Sequence, residues 1–417
     1  VESNVRKSLN NSRNTLAYLA AGLLGALAFL ISVPTYILDP TFLDWIYPQR
    51  SPGYDAGDFH THYLGWLFLR HNPWSFPLGN ISNYVAPLDT YIAYTDSIPI
   101  VAFPLRIISD YLPTDFQYLG FWTLLCFILQ GGFALRLLRP WVKDSVCLMI
   151  GVILLTFSPI LIFRFGHVAL LSHWLLLWSL ALVQENIICL RKSQDQKYPI
   201  LTPIVIICLA TLIQPYLAAM VSGICWALPL GRFLSDRNKN STSALQRWIR
   251  LSAVTVAYIL PMVILLYVSG FLAGPSTSEG FHFFGTDVFS LFNNYGTSSF
   301  IPKFRNKRGL YEGYAWPGLG GWILIAACLV PRIRREIQTW LKLPYVKAAI
   351  ITFGLMWFFA LSENIHFFGF WLIDMEWFWK PFQFITSSLR TSGRFIWPLY
   401  YFILVSALAI TANHYSI

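Results

Sequence analysis

The apolar positions of this chain fall into ten long blocks, at residues 15–38, 116–138, 145–163, 168–190, 199–215, 216–232, 251–272, 317–330, 348–362 and 395–412. A helix needs about 20 such residues to cross a bilayer core upright. Several blocks are shorter, so they are expected to tilt or to pair as re-entrant hairpins, and eight to twelve spans fit the pattern. The predicted fold class is all-α: a polytopic transmembrane helical bundle of about ten spans, forming one integral membrane domain over residues 1–417. Polar residues collect in the connections, three of which are long: 39–115, 273–316 and 363–394. Structureless loops above about 15 residues are uncommon, so these three are expected to fold together as a cap on one face of the membrane.

Composition agrees with that picture. Hydrophobic residues make up 56% of the chain and charged residues 12%, where a soluble domain carries about 25% charged residues. Sorting the charges orients the bundle, because cytoplasmic connections retain Lys and Arg during insertion. With the N-terminus inside, 19 of the 30 basic residues lie in cytoplasmic connections, from Arg6 and Lys7 to Lys342 and Lys347, and 14 of the 20 acidic residues lie on the other face. The net charge of +10 is therefore a signal of orientation. It does not call for a nucleic-acid partner, which needs basic residues gathered on one groove-facing element. The six cysteines fall within or at the ends of apolar blocks, without metal-ligand spacing, and read as small packing residues. The first apolar run, Leu16 to Leu38, is too long for a signal-peptide core and is expected to be a retained span.

The candidate chemistry sits in the outer connections. At helical spacing Asp55, Asp58, His62, Trp66 and Arg70 share a stripe, the polar edge of a helix lying at the interface. Two carboxylates one turn apart raise each other's pKa, which readies one as a general base; the alternative is that one of them caps the helix. Asp58, His60 and His62 supply oxygen and nitrogen donors, but His60 and His62 fall on different faces of a helix, so a divalent metal is not favoured and no cofactor is required. Asp96 precedes a short apolar segment and is explained by a cap or turn, and Gln214-Pro215-Tyr216 by an outer turn. Segment 98–108 is too short to span and reads as interfacial or re-entrant. His167 and His173 stand near membrane depth, while a snorkelling Arg164 needs no function. The basic run Lys303-Phe-Arg305-Asn-Lys307-Arg308 suggests an anionic ligand or lipid headgroup, and Arg390 and Arg394, directly before the last block, suggest phosphate.

The blocks DAGDFHTHYLGWLFLRHNPWSFPLG, FRFGHVALLSHWLLL, QPYLAAM, YEGYAWPGLG and SGRFIWPLYY resemble those of a bacterial membrane family allied to GT-C-type glycosyltransferases. The resemblance covers most of the chain. It implies transfer of a sugar from a polyprenyl-phosphate donor to a glycan, lipid or protein acceptor outside the cytoplasm, at a bacterial inner membrane, without an obligatory metal. In that reading Asp55 or Asp58 is the base, Arg390 and Arg394 clamp the phosphate, and His62, His167 and Glu312 orient the sugar. The acidic pair departs from the family pattern by lying some way beyond the end of the first span. The competing classes are a lipid-linked glycan flippase or transporter, an assembly subunit with a degenerate site, and a membrane acyltransferase. A transporter site is expected near mid-membrane on broken helices, whereas here the polar residues collect at one surface.

Overall fold

The computed structural model describes residues 2–47, 58–87, 90–191, 200–237, 243–273, 279–302, 304, 307 and 309–415. Its helices are α1 (Glu2–Ser32), α2 (Phe59–His71), α3 (Pro99–Ile107), α4 (Leu119–Leu138), α5 (Ser145–Thr156), α6 (Pro159–Ile162), α7 (Trp174–Arg191), α8 (Leu201–Thr211) and α9 (Pro215–Asp236). They continue with α10 (Ala244–Val268), α11 (Gly318–Ala327), α12 (Pro331–Trp340), α13 (Pro344–Ala360), α14 (Glu376–Trp379), α15 (Gln383–Ser388) and α16 (Trp397–Tyr415). Every one of the ten apolar blocks carries a helix. Among the described residues, seven helical segments are long and apolar enough to cross a membrane: Asn14–Ser32, Leu119–Leu138, Ser145–Ile162, Val168–Cys189, Pro215–Asp236, Ala244–Val268 and Ser392–Ala412. The other three blocks hold the shorter apolar helices α8, α11 and α13.

The packing follows from small residues placed where helices cross. Cβ atoms at Gly25 of α1 and Gly131 of α4 would run into the backbone of the facing helix, so glycine at both positions lets the two helices touch along their carbonyls. A buried core of Leu, Ile, Val and Ala from α4, α7, α9, α13 and α16 fills the centre. On the outer helices, Leu19, Leu23, Leu27 and Leu30 of α1 and Val256, Leu260 and Ile264 of α10 are exposed. In water such a surface would aggregate; against lipid it is the wall of the bundle.

Among the described residues the fold departs from all-α at one hairpin, β1 (Asn364–Phe367) with β2 (Phe370–Asp374), paired antiparallel from Asn364 opposite Asp374 to Phe367 opposite Phe370. Phe368 and Gly369 turn it at φ 50° and 75°. Asp287 secures that turn, its two carboxylate oxygens accepting from the Phe368 and Gly369 amides at 3.1 and 2.7 Å. In sequence the hairpin is hidden inside the connection 363–394, because Phe-Phe-Gly-Phe-Trp-Leu-Ile lacks the alternation of apolar and polar residues that marks a half-buried strand.

The three long outer connections interlock. Tyr94 donates its hydroxyl to the Phe271 carbonyl at 2.9 Å, the Gly393 amide donates to the Phe284 carbonyl at 2.9 Å, and the Thr286 amide donates to the Ala360 carbonyl at 2.7 Å. These bonds tie segments far apart in sequence around the ends of α7, α9 and α16.

Candidate active site

Where those connections meet they enclose a polar chamber of about 590 Å³. Its lining includes Asp58, His62, Asp96, His167, Gln214, Tyr216, Glu312, Arg390, Thr391 and Arg394. All belong to connections that the charge count put on one side.

Asp58 stands immediately before the first residue of α2, the place from which a carboxylate usually accepts first-turn amides. It makes no such bond. Its side chain is 59% exposed and its Oδ2 lies 3.7 Å from His167 Nε2. Asp55 lies outside the described residues. The stripe expected along this helix is divided by the structure: Asp58 and His62 face the chamber, while Trp66 Nε1 donates to the Phe116 carbonyl at 3.0 Å and Arg70 donates to the carbonyls of Ser109, Leu112, Pro113 and Thr114. His60 packs its ring against Tyr47, 5.4 Å between centroids, so Asp58, His60 and His62 do not converge on a cation. Among the described residues no group of three His, Cys, Asp or Glu is placed to hold a metal ion.

Asp96 lies in a turn before α3, as its sequence context suggests, and it also lines the chamber. Its Oδ2 lies 3.2 Å from His167 Nε2 and its Oδ1 accepts from Gln214 Nε2 at 3.4 Å. His167 Nε2 thus sits between two carboxylates, Asp58 and Asp96. Burial on its own raises a carboxyl pKa, but contact with His167 and the charges of His62 and Arg394 hold Asp96 below its ordinary value. Asp96 and Ile98 both have φ of 52°, a left-handed conformation that costs a non-glycine residue, and a β-branched one most. Local bonds hold it there. Thr95 Oγ1 lies 2.8 Å from Ser97 Oγ, Ser97 Oγ donates to the His62 carbonyl at 2.6 Å, and Tyr118 donates to the Ser97 carbonyl. The close approach needs Gly65 of α2, because a Cβ there would overlap the Thr95 and Ser97 hydroxyls.

Gly65→Ala is therefore expected to cost about 1–3 kcal/mol of stability and to pull Asp96 off His167. Gly132→Ala, whose added Cβ meets open space, serves as the control. Thermal unfolding of both variants in detergent checks this; equal unfolding temperatures would mean that the 95–97 segment yields freely.

His62 donates Nδ1–H to the Thr95 carbonyl at 2.8 Å and leaves Nε2 without a protein partner beside the chamber. Burial, with the neighbouring His167, pushes its imidazole from 6.5 down to about 4. The folded protein thus holds it neutral. Above pH 6.5 it does not affect stability; between 6.5 and 4 the unfolded chain takes up a proton that the folded one refuses, so stability falls as pH falls and levels off below 4. The displacement corresponds to roughly 3 kcal/mol. Asp96, with its lowered value, adds loss in the same direction at lower pH. Unfolding temperatures measured across this window should drop for the wild type and drop less for His62→Asn, which keeps the donor to Thr95; parallel curves would remove His62 from the account.

The arginines come as a buried set. Glu312 Oε2 accepts from Arg164 Nη1 at 2.7 Å and from Arg394 Nε at 2.9 Å, and Arg164 Nη2 donates to the Glu312 carbonyl at 2.9 Å. Arg164 does not snorkel outward, since its side chain is 6% exposed. Glu312 is also buried, and although burial alone raises a carboxyl pKa, its two guanidiniums hold this one far below the ordinary range. Geometry makes Glu312 the residue that positions the arginines. Arg394 lies over the Tyr216 ring at 4.7 Å, and Arg390, exposed, donates to the Glu279 carbonyl at 3.3 Å. His173 lies below, its Nδ1 2.9 Å from the Tyr401 hydroxyl, and does not line the chamber. Of the basic run 303–308, Lys303, Arg305 and Arg308 lie outside the described residues, and Lys307 Nζ sits 3.1 Å from His366 Nε2.

No curated protein and no solved structure matches the chain. Residues 22–416, nearly its whole length, match the family described as a domain of unknown function, DUF6311, and the chain belongs to that family.

Proposed function

We propose that this chain is a membrane glycosyltransferase of the GT-C type, moving a sugar from a polyprenyl-phosphate donor to a glycan, lipid or protein acceptor. The observation that carries the reading is the chamber, where accessible carboxylate and buried guanidinium line one polar space at the ends of apolar helices. Beside it an apolar groove of about 430 Å³ between α9, α10 and α13 runs up to Leu389 and Phe395, the chain neighbours of Arg390 and Arg394. A lipid phosphate suits that pair of surfaces, with its charge on the arginines and its chain in the groove. The charge count supports a cytoplasmic N-terminus and a chamber on the outer face of the membrane, and the family resemblance makes that membrane a bacterial inner one.

Asp58 is the carboxylate with lone pairs to spare, since Asp96 is engaged by His167 and Gln214. In the proposed step Asp58 takes the proton of the acceptor hydroxyl while that oxygen bonds to the anomeric carbon. The bond from that carbon to the phosphate oxygen breaks, and the phosphate leaves with the electron pair toward Arg394 and Arg390. A single displacement inverts the anomeric centre. His62 and His167 are placed to orient hydroxyl groups.

The test is transfer by the purified protein from radiolabelled polyprenyl-phosphate sugars to added acceptors. Labelled product supports the reading. Donor left intact while lipid-linked sugar crosses reconstituted vesicles would replace it with the flippase.

A further inference from the structure

A second cavity lies at the other end of the bundle. α7 and α16 begin beside the chamber, and toward their far ends they meet the end of α4, the start of α13 and the helix α12 around a space of about 180 Å³. Its walls are apolar: Leu137, Leu180, Val183, Ile187, Phe402 and Val405 among them. Trp141 and Trp340, 4.8 Å apart between ring centroids, stand together in the same wall.

Two polar residues, Gln184 and Ser406, stand among the wall residues. Gln184 of α7 is 7% exposed and its Nε2 has no hydrogen-bond partner. Buried amides are seldom left so, and nothing apolar would satisfy this one. Around the cavity, basic residues stand close in sequence to its lining: Lys143 after Trp141, Lys342 after Leu341, Lys347 after Val346, and Arg334 and Arg335 on α12 before Ile337. All five are exposed, and none forms an ion pair among the described residues. An apolar slot, an unpartnered buried donor and unpaired cations match an acyl chain, an ester carbonyl and a phosphate.

We infer that this cavity binds one acyl chain of an anionic phospholipid from the leaflet remote from the chamber, with its ester carbonyl accepting from Gln184 Nε2. Size decides which part of the lipid enters. A cavity of about 150 Å³ takes a molecule the size of benzene, so this one takes a stretch of chain and leaves the headgroup outside, among the lysines and arginines. Tryptophans at such a level are the usual interfacial anchors. The site is separate from the proposed transfer chemistry and does not depend on it.

Native mass spectrometry of the detergent-purified protein, offered equal phosphatidylglycerol and phosphatidylcholine, tests the inference. The wild type should retain phosphatidylglycerol in preference. Ser406→Phe, which fills the cavity, should cut retention about tenfold, and Gln184→Leu, which keeps the volume and removes the donor, roughly fivefold. Lys342→Glu with Lys347→Glu should erase the preference between the two lipids. Equal retention of both lipids by the wild type overturns the inference, as does undiminished retention by Ser406→Phe. Should Ser406→Phe fail to fold, undiminished retention by Gln184→Leu overturns it.

Discussion

Asp58→Asn is expected to leave a folded protein that holds its donor and transfers sugar about 10²- to 10⁴-fold more slowly, the usual contribution of a positioned general base. The substitution keeps size and polarity. At a side chain 59% exposed with no capping bond, it removes little that supports the fold. What it removes is the lone pair that takes the acceptor's proton. Asp96→Asn should behave differently, because both Asp96 oxygens are engaged, one by His167 and one by Gln214. That variant is expected to lose stability as well as rate, because the nearer of the two carboxylates beside His167 and the acceptor for Gln214 are both removed. Single-turnover transfer, donor binding and unfolding temperature, measured on both variants and on Asp55→Asn, separate the roles. Wild-type turnover by Asp58→Asn would pass the base to Asp96 or Asp55.

The helices were legible in the sequence because burial in lipid leaves so coarse a mark. Blocks of apolar residues at 145–163 and 395–412 could hardly be anything else, and both are helical. The chamber was legible only in part. Asp58, His62, His167 and Arg394 stood out because each is polar or charged beside an apolar run, and the structure gathers all four around one space. Asp96 did not, because its role depends on φ values of 52° at Asp96 and Ile98, and no glycine or asparagine announces them. Its position is set by Gly65, in a different helix, and by hydroxyls that look ordinary in a list of residues. Arg164 and Glu312 were legible singly and not as a pair. A lone cation and a lone anion near membrane depth, 148 positions apart, seek each other for the same electrostatic reason, but only the fold shows that they meet.

Glu312→Gln is the second variant expected to act strongly, and through stability first. Arg164, Glu312 and Arg394 have side chains only 6%, 9% and 8% exposed, so the carboxylate is the main counterion for two charges that water hardly reaches. Removing one partner of a buried ion pair costs about 3–5 kcal/mol, because the charge left behind keeps its desolvation penalty. The unfolding temperature of Glu312→Gln should fall well below that of the wild type. Adding Arg164→Met should recover part of the loss, since one of the two orphaned charges then disappears and Arg394 keeps its stacking on Tyr216. The same measurement decides what Glu312 is for. A residue that touched the sugar would change KM and leave the unfolding temperature in place, because a chamber-facing carboxyl gives up only a substrate contact when it becomes an amide. A residue that holds two arginines in register lowers the unfolding temperature, and it weakens transfer because Arg394 no longer meets the leaving phosphate at a fixed point.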